Sequence, residues 1–323
     1  MLACQRNETK GATFTVNELN WFRRHAYNIG VLSCEKWAAS NLIGLFKSCI
    51  TLSQCYGDTH PLPVPQELSL MTMRCHFMLS SIHINNARNS QEDNSQSYQE
   101  SRVHFGEYCK ILETFTVRNC GTNDKLSSSL AEHIQKHMLL QTSMLYVFEF
   151  EAAVMLDDWS ILSQIVQRAH ICSDEGVYKA MGDCLLQSQA PVEVLSNITK
   201  LIVNQIYILE TFDASRLAKY IRCLFQALLL RGEGLAIQLL DQAIQLAREL
   251  DKAQNPFPAL EARWMVATSF NRAVDHYVQG DHQRCKEWAS RAIDLANYTG
   301  DDGLLKKAVE SRYSELKLEN ESL

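Results

Sequence analysis

Two histidines at helical spacing are the first residues in this chain whose types could support chemistry. His133 and His137 are four residues apart in a segment predicted to be helical, so their rings would lie on one helix face. That spacing can hold a zinc ion. However, Glu132 precedes the pair instead of lying between the histidines as in zinc peptidases, and no third ligand is evident. We therefore expect an ordinary helix surface there.

A second set of metal-ligating residue types surrounds a predicted turn near the C-terminal end of the sequence. His276, His282 and Cys285 straddle this turn between two helices. Cys285 occupies a position that small residues share on the second helix, where a cysteine behaves as a small apolar side chain. A structural role is therefore favoured over metal binding.

The acidic pair Asp157-Asp158 is of the kind that binds metal in helical prenyl-transforming enzymes. Those enzymes need a further carboxylate about one helical turn later, whereas Ser160, Ile161 and Leu162 follow here. An inter-helix turn is the better interpretation, with an aspartate capping the helix that begins near Trp159. Residues 301–302 (DD) show the same pattern.

No motif for enzymatic catalysis is evident in the sequence. It contains no phosphate-cradling glycine loop, no nucleophile elbow and no dinucleotide-binding fingerprint. We predict that the chain is not an enzyme, and that it uses no cofactor and no metal.

The composition indicates a helical protein. Glycine (13 residues) and proline (6) are scarce in a chain of 323 residues, against an average usage of roughly 7% and 5%. With 46% hydrophobic and 21% charged residues, the chain is not of the disordered class. So few turn-forming residues also argue against an all-β sandwich or barrel, which needs frequent turns.

The net charge and the cysteine content indicate which partners and which redox environment the chain is suited to. The net charge of −6 and the absence of long basic runs favour protein partners over direct binding of nucleic acid. The 11 cysteines are odd in number and show no C-x-x-C spacing, which indicates a reduced, intracellular protein. No signal peptide and no apolar run of about 20 residues are found, so we expect no membrane partner.

Hydrophobic periodicity and the helix-breaking residues between segments divide the chain into amphipathic helices. We predict an N-terminal tail over 1–16 and a helical-repeat domain over 17–323, with loops near 88–97 and 119–129 and a capping helix near 302–318. The predicted helices span about 17–35, 38–55, 66–87, 98–118, 130–156, 159–173, 175–188, 191–210, 214–231, 234–250, 258–279, 282–297 and 302–318.

The last helix pair carries the sharpest repeat pattern. Small residues at 285, 289, 292 and 296 lie on one helix face, after a turn at Gly280. The pattern recurs at 236, 240, 243 and 247 and, more loosely, in the first pair. Small side chains let two helix backbones approach closely. The fold class is therefore predicted to be all-α, an α-solenoid of antiparallel helix pairs with degenerate TPR-like repeats.

Two aromatic-asparagine pairs remain unexplained by this pattern, Tyr27-Asn28 and Phe270-Asn271. Asparagine has poor helix propensity and needs a hydrogen-bond partner within a helix. One interpretation is a buried asparagine that ties adjacent repeats together. The other is a groove residue that holds a partner's backbone, with the neighbouring aromatic ring as an anchor.

Several segments in order resemble a known family. They are Trp21-Phe22, Tyr27-Asn28, 220–226 (YIRCLFQ), 239–243 (LLDQA), 261–277 (EARWMVATSFNRAVDHY) and 285–289 (CKEWA). Together these segments resemble the fungal branch of the meiotic TPR proteins known as Zip-four or sporulation-specific protein twenty-two. The testis-expressed animal relatives belong to the same group.

The resemblance implies a scaffold of the meiotic ZMM group that acts in the nucleus on meiotic chromosomes. Such proteins promote crossover formation and assembly of the synaptonemal complex. The implied partners are an XPF–ERCC-like heterodimer and a central-element protein of the synaptonemal complex. The family's aromatic-Asn motif, associated with the second partner, matches Phe270-Asn271.

Trp264 and Tyr277 complete the candidate partner-binding set, whereas Tyr27 and Asn28 are expected to be structural. Family members are several hundred residues longer, chiefly through further N-terminal repeats. We therefore expect this chain to correspond to the C-terminal part of a longer scaffold. The alternative is a generic intracellular TPR-like adaptor of another multiprotein complex.

Overall fold

The chain folds into α-helices. A computed structural model describes residues 14–56, 65–90, 94–119, 128–209 and 212–316. Its regular elements over these ranges are helices, with no β-strand among them, which confirms the all-α prediction. None of the described helices is both long and apolar enough to span a bilayer.

Thirteen α-helices lie in the described ranges, and their bounds follow the predicted segments closely. They are Val16–Leu32 (α1), Ala39–Gln54 (α2), Pro65–Asn89 (α3), Ser95–Asn119 (α4), Ser128–Met155 (α5), Leu162–Arg168 (α6), Glu175–Gln187 (α7), Val192–Tyr207 (α8), Ala214–Arg231 (α9), Glu233–Lys252 (α10), Ala259–Val278 (α11), His282–Ala296 (α12) and Leu304–Glu315 (α13).

Two compact units divide the chain, Met1–Ile165 and Val166–Leu323. In the first unit, each of the helices α1 to α4 contacts the next one along the chain, and α3 also contacts α5. In the second unit, α7 contacts α8, α8 contacts α9 and α10, and α9 contacts α10 and α11. There α12 contacts α10, α11 and α13. Several helices of the second unit therefore contact both the neighbouring helix and the next helix but one.

The small-residue faces lie where the pattern predicts. Side chains at 285, 289, 292 and 296 on α12 are at most 1% exposed, and those at 236, 240, 243 and 247 on α10 are fully buried. Gly280 makes the predicted turn between α11 and α12 with a φ of 79°, a conformation that favours glycine. In the first pair, Gly30 of α1 lies against Phe46 of α2, since a Cβ on Gly30 would be 2.8 Å from the ring Cζ.

A second glycine allows a closer approach. On α7, a Cβ added to Gly182 would lie 1.9 Å from the hydroxyl oxygen of Tyr220 on α9. Gly182→Ala is therefore expected to lower the free energy of unfolding by about 1–3 kcal/mol through overpacking, despite the better helix propensity of alanine. Gly234→Ala is the matched control, because open space surrounds that helical glycine.

Urea unfolding, followed by circular dichroism, measures the free energy of unfolding of both glycine variants. Gly234→Ala is expected to be neutral or to stabilise the protein by about 0.4–1 kcal/mol. If Gly182→Ala is as stable as Gly234→Ala, the close approach of α7 and α9 is wrong.

The structure corrects several boundaries. The single helix predicted over 159–173 is broken into a 3-10 turn (Trp159–Ile161), α6 and a second 3-10 turn (Ala169–Cys172). The loop predicted near 88–97 is shorter, because α3 extends to Asn89 and α4 begins at Ser95. Residues 1–13 of the predicted tail, and 120–127 of the second predicted loop, lie outside the described residues.

Both acidic pairs lie in inter-helix turns as expected, and Asp158 occupies the predicted N-cap position before Trp159, but neither pair caps a helix through a side chain. Asp158 precedes the 3-10 turn but accepts no backbone N–H. Its carboxylate instead accepts from the Ser160 hydroxyl at 2.9 Å and from Arg102 at 3.1 Å. Gly303, not an aspartate, caps α13.

The capping helix is shorter than predicted and little of its apolar stripe is buried. It begins at Leu304, whose side chain is 68% exposed, and Val309 is its buried residue. Predicted positions 317–318 lie outside the described residues.

Candidate functional site

The candidate partner-binding residues lie on α11, but their side chains point in different directions. Phe270 is 5% exposed and belongs to the core, whereas its neighbour Asn271 is exposed. Successive helical residues are about 100° apart around the axis, so one residue of the pair can face the core while the other faces solvent. Phe270 therefore cannot act as an anchor on the protein surface in this conformation.

The hypothesis of a buried asparagine that ties repeats together is wrong for both pairs. Asn28 on α1 is exposed like Asn271, while its neighbour Tyr27 is half-buried. The Tyr27 ring packs edge-on against Phe46, with ring centroids 6.0 Å apart. The aromatic residue of each pair therefore supports the fold, and the asparagine is presented to solvent.

Trp264 lies at the contact between α9 and α11 and is half-buried. The guanidinium of Arg222 on α9 lies 5.1 Å from the Trp264 ring centroid, within cation–π range. The same guanidinium pairs with the buried carboxylate of Glu261 at 2.9 Å. The Phe225 ring on α9 packs edge-on against Trp264, with ring centroids 6.4 Å apart. Trp264 is thus largely engaged within the protein.

Tyr277 lies at the turn between α11 and α12. Its ring is half-buried and packs edge-on against His282 at a centroid distance of 5.8 Å. The neighbouring His276 is buried and lies 3.0 Å from a carboxylate oxygen of Glu233. Cys285 is fully buried in the small-residue face, as the structural interpretation of these residues predicts.

A solvent-facing stripe runs along α11 and contains Asn271. It consists of Leu260, Ala267, Asn271 and Val278, whose spacing of 7, 4 and 7 places them on one helix face. Leu260 is 77% exposed and Val278 is 79% exposed. We call these four residues the α11 stripe. Two large apolar side chains thus flank a small residue and an amide that can both donate and accept hydrogen bonds.

The structure describes the side chain of one histidine of the predicted pair. His137 is exposed on α5, and the side chain of His133 lies outside the described residues. Across the described part of the chain, one group of three potential ligands is close enough to hold a metal ion, and it is elsewhere: His83, Glu100 and His104.

This second site lies between α3 and α4 in the first unit. A ring nitrogen from each of His83 and His104 and a carboxylate oxygen of Glu100 lie within 4.8 Å of one another. His76 adds a third histidine, with its Nδ1 at 3.1 Å from Nδ1 of His104. One turn away, the hydroxyls of Ser80 and Ser101 are 2.7 Å apart and buried. Polar groups therefore line this helix contact.

Burial keeps the three histidines neutral. Desolvation lowers the pKa of His76 and of His83 below the usual value of 6.5. For His104, desolvation together with the nearby rings of His76 and His83 lowers the pKa to about 3. Each ring therefore carries one proton at neutral pH and keeps one nitrogen with a free lone pair.

Sequence reasoning missed this cluster because its members come from two helices. His76 and His83 are seven residues apart, and Glu100 and His104 are four apart, so each pair lies on one helix face. Either pair alone is weak. The signal lay in their placement on both sides of the short polar connection around residue 92, since an antiparallel pair of helices brings such residues together.

No protein-family model matches this chain, and no curated protein matches it either.

Proposed function

We propose that the chain is a non-enzymatic protein-interaction scaffold in meiosis, which promotes crossover formation and assembly of the synaptonemal complex. In this proposal it works in the nucleus on meiotic chromosomes. Its helix pairs form an α-solenoid of degenerate TPR-like repeats. The proposal rests on the resemblance of segments such as 261–277 to the meiotic family, together with the stacked helix contacts of the second unit.

The single observation that carries a binding role is the α11 stripe. A helix with one face fully buried has no structural need for large apolar residues on its other face. Leu260 and Val278 nevertheless leave most of their side chains in water, at 77% and 79% exposed. Exposed apolar side chains on the same helix face as a polar group suit a protein partner, whose burial of the apolar surface supplies affinity while the amide supplies specificity.

The proposed partners are a central-element protein of the synaptonemal complex, at the α11 stripe, and an XPF–ERCC-like heterodimer elsewhere. A helical peptide is the expected ligand, because its apolar face can cover Leu260 and Val278 while Asn271 bonds to polar groups at its edge. Trp264 and Tyr277 would contribute indirectly, by holding α11 in place through the contacts described above.

A binding assay with the central-element protein tests this proposal. Asn271→Asp is expected to weaken binding by at least tenfold, because a carboxylate loses the two N–H donors of the amide and adds a charge. Ser290→Asp is the matched control: Ser290 is an exposed residue on the adjacent α12, outside the stripe. Equal binding by wild type and Asn271→Asp, with folding intact, would show that the site is wrong.

The alternative of a generic TPR-like adaptor is separated by the proteins that co-purify with the chain. Co-purification of meiotic crossover and synaptonemal proteins with the chain from extracts of meiotic cells would support the meiotic proposal. Presence of the chain in vegetative cells together with its absence in meiosis would contradict it and favour the adaptor.

A further inference from the structure

The cluster between α3 and α4 contains two buried nitrogen atoms that no part of the fold explains. Nε2 of His83 and Nε2 of His104 are both buried and have no hydrogen-bond partner among the described residues. The two side chains are 8% and 7% exposed. A buried polar atom without a partner costs free energy, so two of them beside one carboxylate suggest that a ligand satisfies them.

His76 supplies the contact that metal-bound histidines usually have. A histidine that ligates a metal through one nitrogen commonly donates its other N–H to a neighbouring acceptor, which sets the ring's tautomer and orientation. Nδ1 of His104 lies 3.1 Å from Nδ1 of His76. If His104 donates in this bond, its Nε2 carries a lone pair and faces the cluster as a ligand.

We propose that His83 Nε2, His104 Nε2 and the Glu100 carboxylate bind one divalent transition-metal ion of the Zn²⁺ type, with His76 as a positioning residue for His104. Two imidazoles and a carboxylate form a donor set that zinc uses in proteins. The proposal replaces the sequence-based expectation that the chain holds no metal. It is independent of partner binding by the α11 stripe.

The three ligand atoms lie close enough together that small side-chain rotations would bring them to the distances of a bound ion. Tetrahedral zinc with bonds of about 2.0–2.1 Å holds its ligand atoms roughly 3.4 Å apart, against the limit of 4.8 Å observed here. Glu100 can supply the movement, since 39% of its side chain is exposed. Its present partner, the Lys47 ammonium at 3.7 Å, is half-exposed, and such a surface pair adds little stability. The exposed side also admits water as a fourth ligand.

The bound ion would join α3 to α4 and stabilise the first unit. A ligand that binds the folded state alone raises its stability with ligand concentration. At free Zn²⁺ about 100-fold above the dissociation constant, the melting temperature of the first unit, measured in the full chain, is expected to rise by about 5 °C or more.

Titration of the full, reduced chain with Zn²⁺ against a chromophoric chelator tests the proposal. One equivalent is expected to bind. Glu100→Gln is the principal variant because Glu100 is partly exposed, so the fold should survive; its affinity is expected to fall by at least about 100-fold. His83→Gln is expected to lower the Zn²⁺ affinity by the same factor. His76→Gln is expected to lower it by about 10–100-fold, as for other residues that orient a metal ligand.

His137→Gln is the matched control, an exposed histidine from the pair that the sequence first suggested. It is expected to leave affinity and stoichiometry unchanged. Titration with Co²⁺ excludes binding by the chain's cysteines, since bound cobalt should show ligand-field bands without a thiolate charge-transfer band. The proposal is overturned if the folded wild type binds no stoichiometric Zn²⁺, if Glu100→Gln binds as tightly as wild type, or if His137→Gln abolishes binding.

Discussion

Phe270→Ala is expected to lower the free energy of unfolding of the second unit by about 3–5 kcal/mol, the cost of emptying a buried phenylalanine site. The neighbouring Asn271→Ala is expected to change it by about 0.5 kcal/mol or less, since the asparagine side chain is exposed. Urea unfolding followed by circular dichroism provides both values. A loss below about 1 kcal/mol for Phe270→Ala would contradict the buried placement of the ring.

This pair of variants decides how binding experiments on the motif should be interpreted. Weaker binding by Phe270→Ala would be expected from partial unfolding alone, whether or not the ring meets a partner. Asn271→Asp changes the protein surface and leaves the core intact. The asparagine, not the aromatic residue, is therefore the informative position of the motif in this chain.

Glu67→Gln is expected to cost about 3 kcal/mol or more in the free energy of unfolding, because it leaves a buried charge without its anion. The charge belongs to Arg23 of α1, whose side chain is fully buried and pairs with Glu67 of α3 at 3.1 Å. Arg23→Met is expected to cost much less, since it removes the buried charge itself and leaves Glu67, at 40% exposed, in water and beside Arg24.

The stabilities of wild type and Glu67→Gln should also respond differently to acid. Hydrogen bonds and ion pairing with Arg24 and Arg23 hold the pKa of Glu67 below the usual 4.5. A lowered pKa in the folded state contributes stability that is present above the unfolded-state pKa and is lost as pH falls through the folded-state pKa. The stability gap between wild type and Glu67→Gln should therefore shrink below about pH 4.5. A gap that stays constant to pH 3 would show that ionisation of Glu67 is not what stabilises the folded state.

The sequence predicts the helices well because their ends are chemically marked. Gly280 adopts a positive φ in the turn between α11 and α12, and the small residues of α12 at 285, 289, 292 and 296 are buried. The glycine therefore indicated the turn, and the periodicity indicated the core face. The end of the segment 159–173 is not marked in this way, since Ser173 adopts a φ of 48° although serine, unlike glycine, does not favour that conformation.

The candidate sites were harder to predict than the helices. An aromatic-Asn pair has the same sequence whether its asparagine faces the core or the solvent, and the burial of Phe270 depends on which face of α11 its neighbours cover. The cluster of His83, Glu100 and His104 depends on how α3 aligns with α4. Local sequence patterns do not contain that alignment.

The polar contact between α3 and α4 also fixes the register of this helical hairpin. Sliding one helix along the other by one turn, about 5.4 Å, would separate Ser80 from Ser101 and His76 from His104. Each buried polar group that lost its partner would cost about 1–3 kcal/mol, whereas the apolar side chains around them could find equivalent contacts after the shift. The hydrogen-bonded pairs thus exclude misaligned hairpins that hydrophobic burial alone would tolerate, and they do so with or without a bound ion.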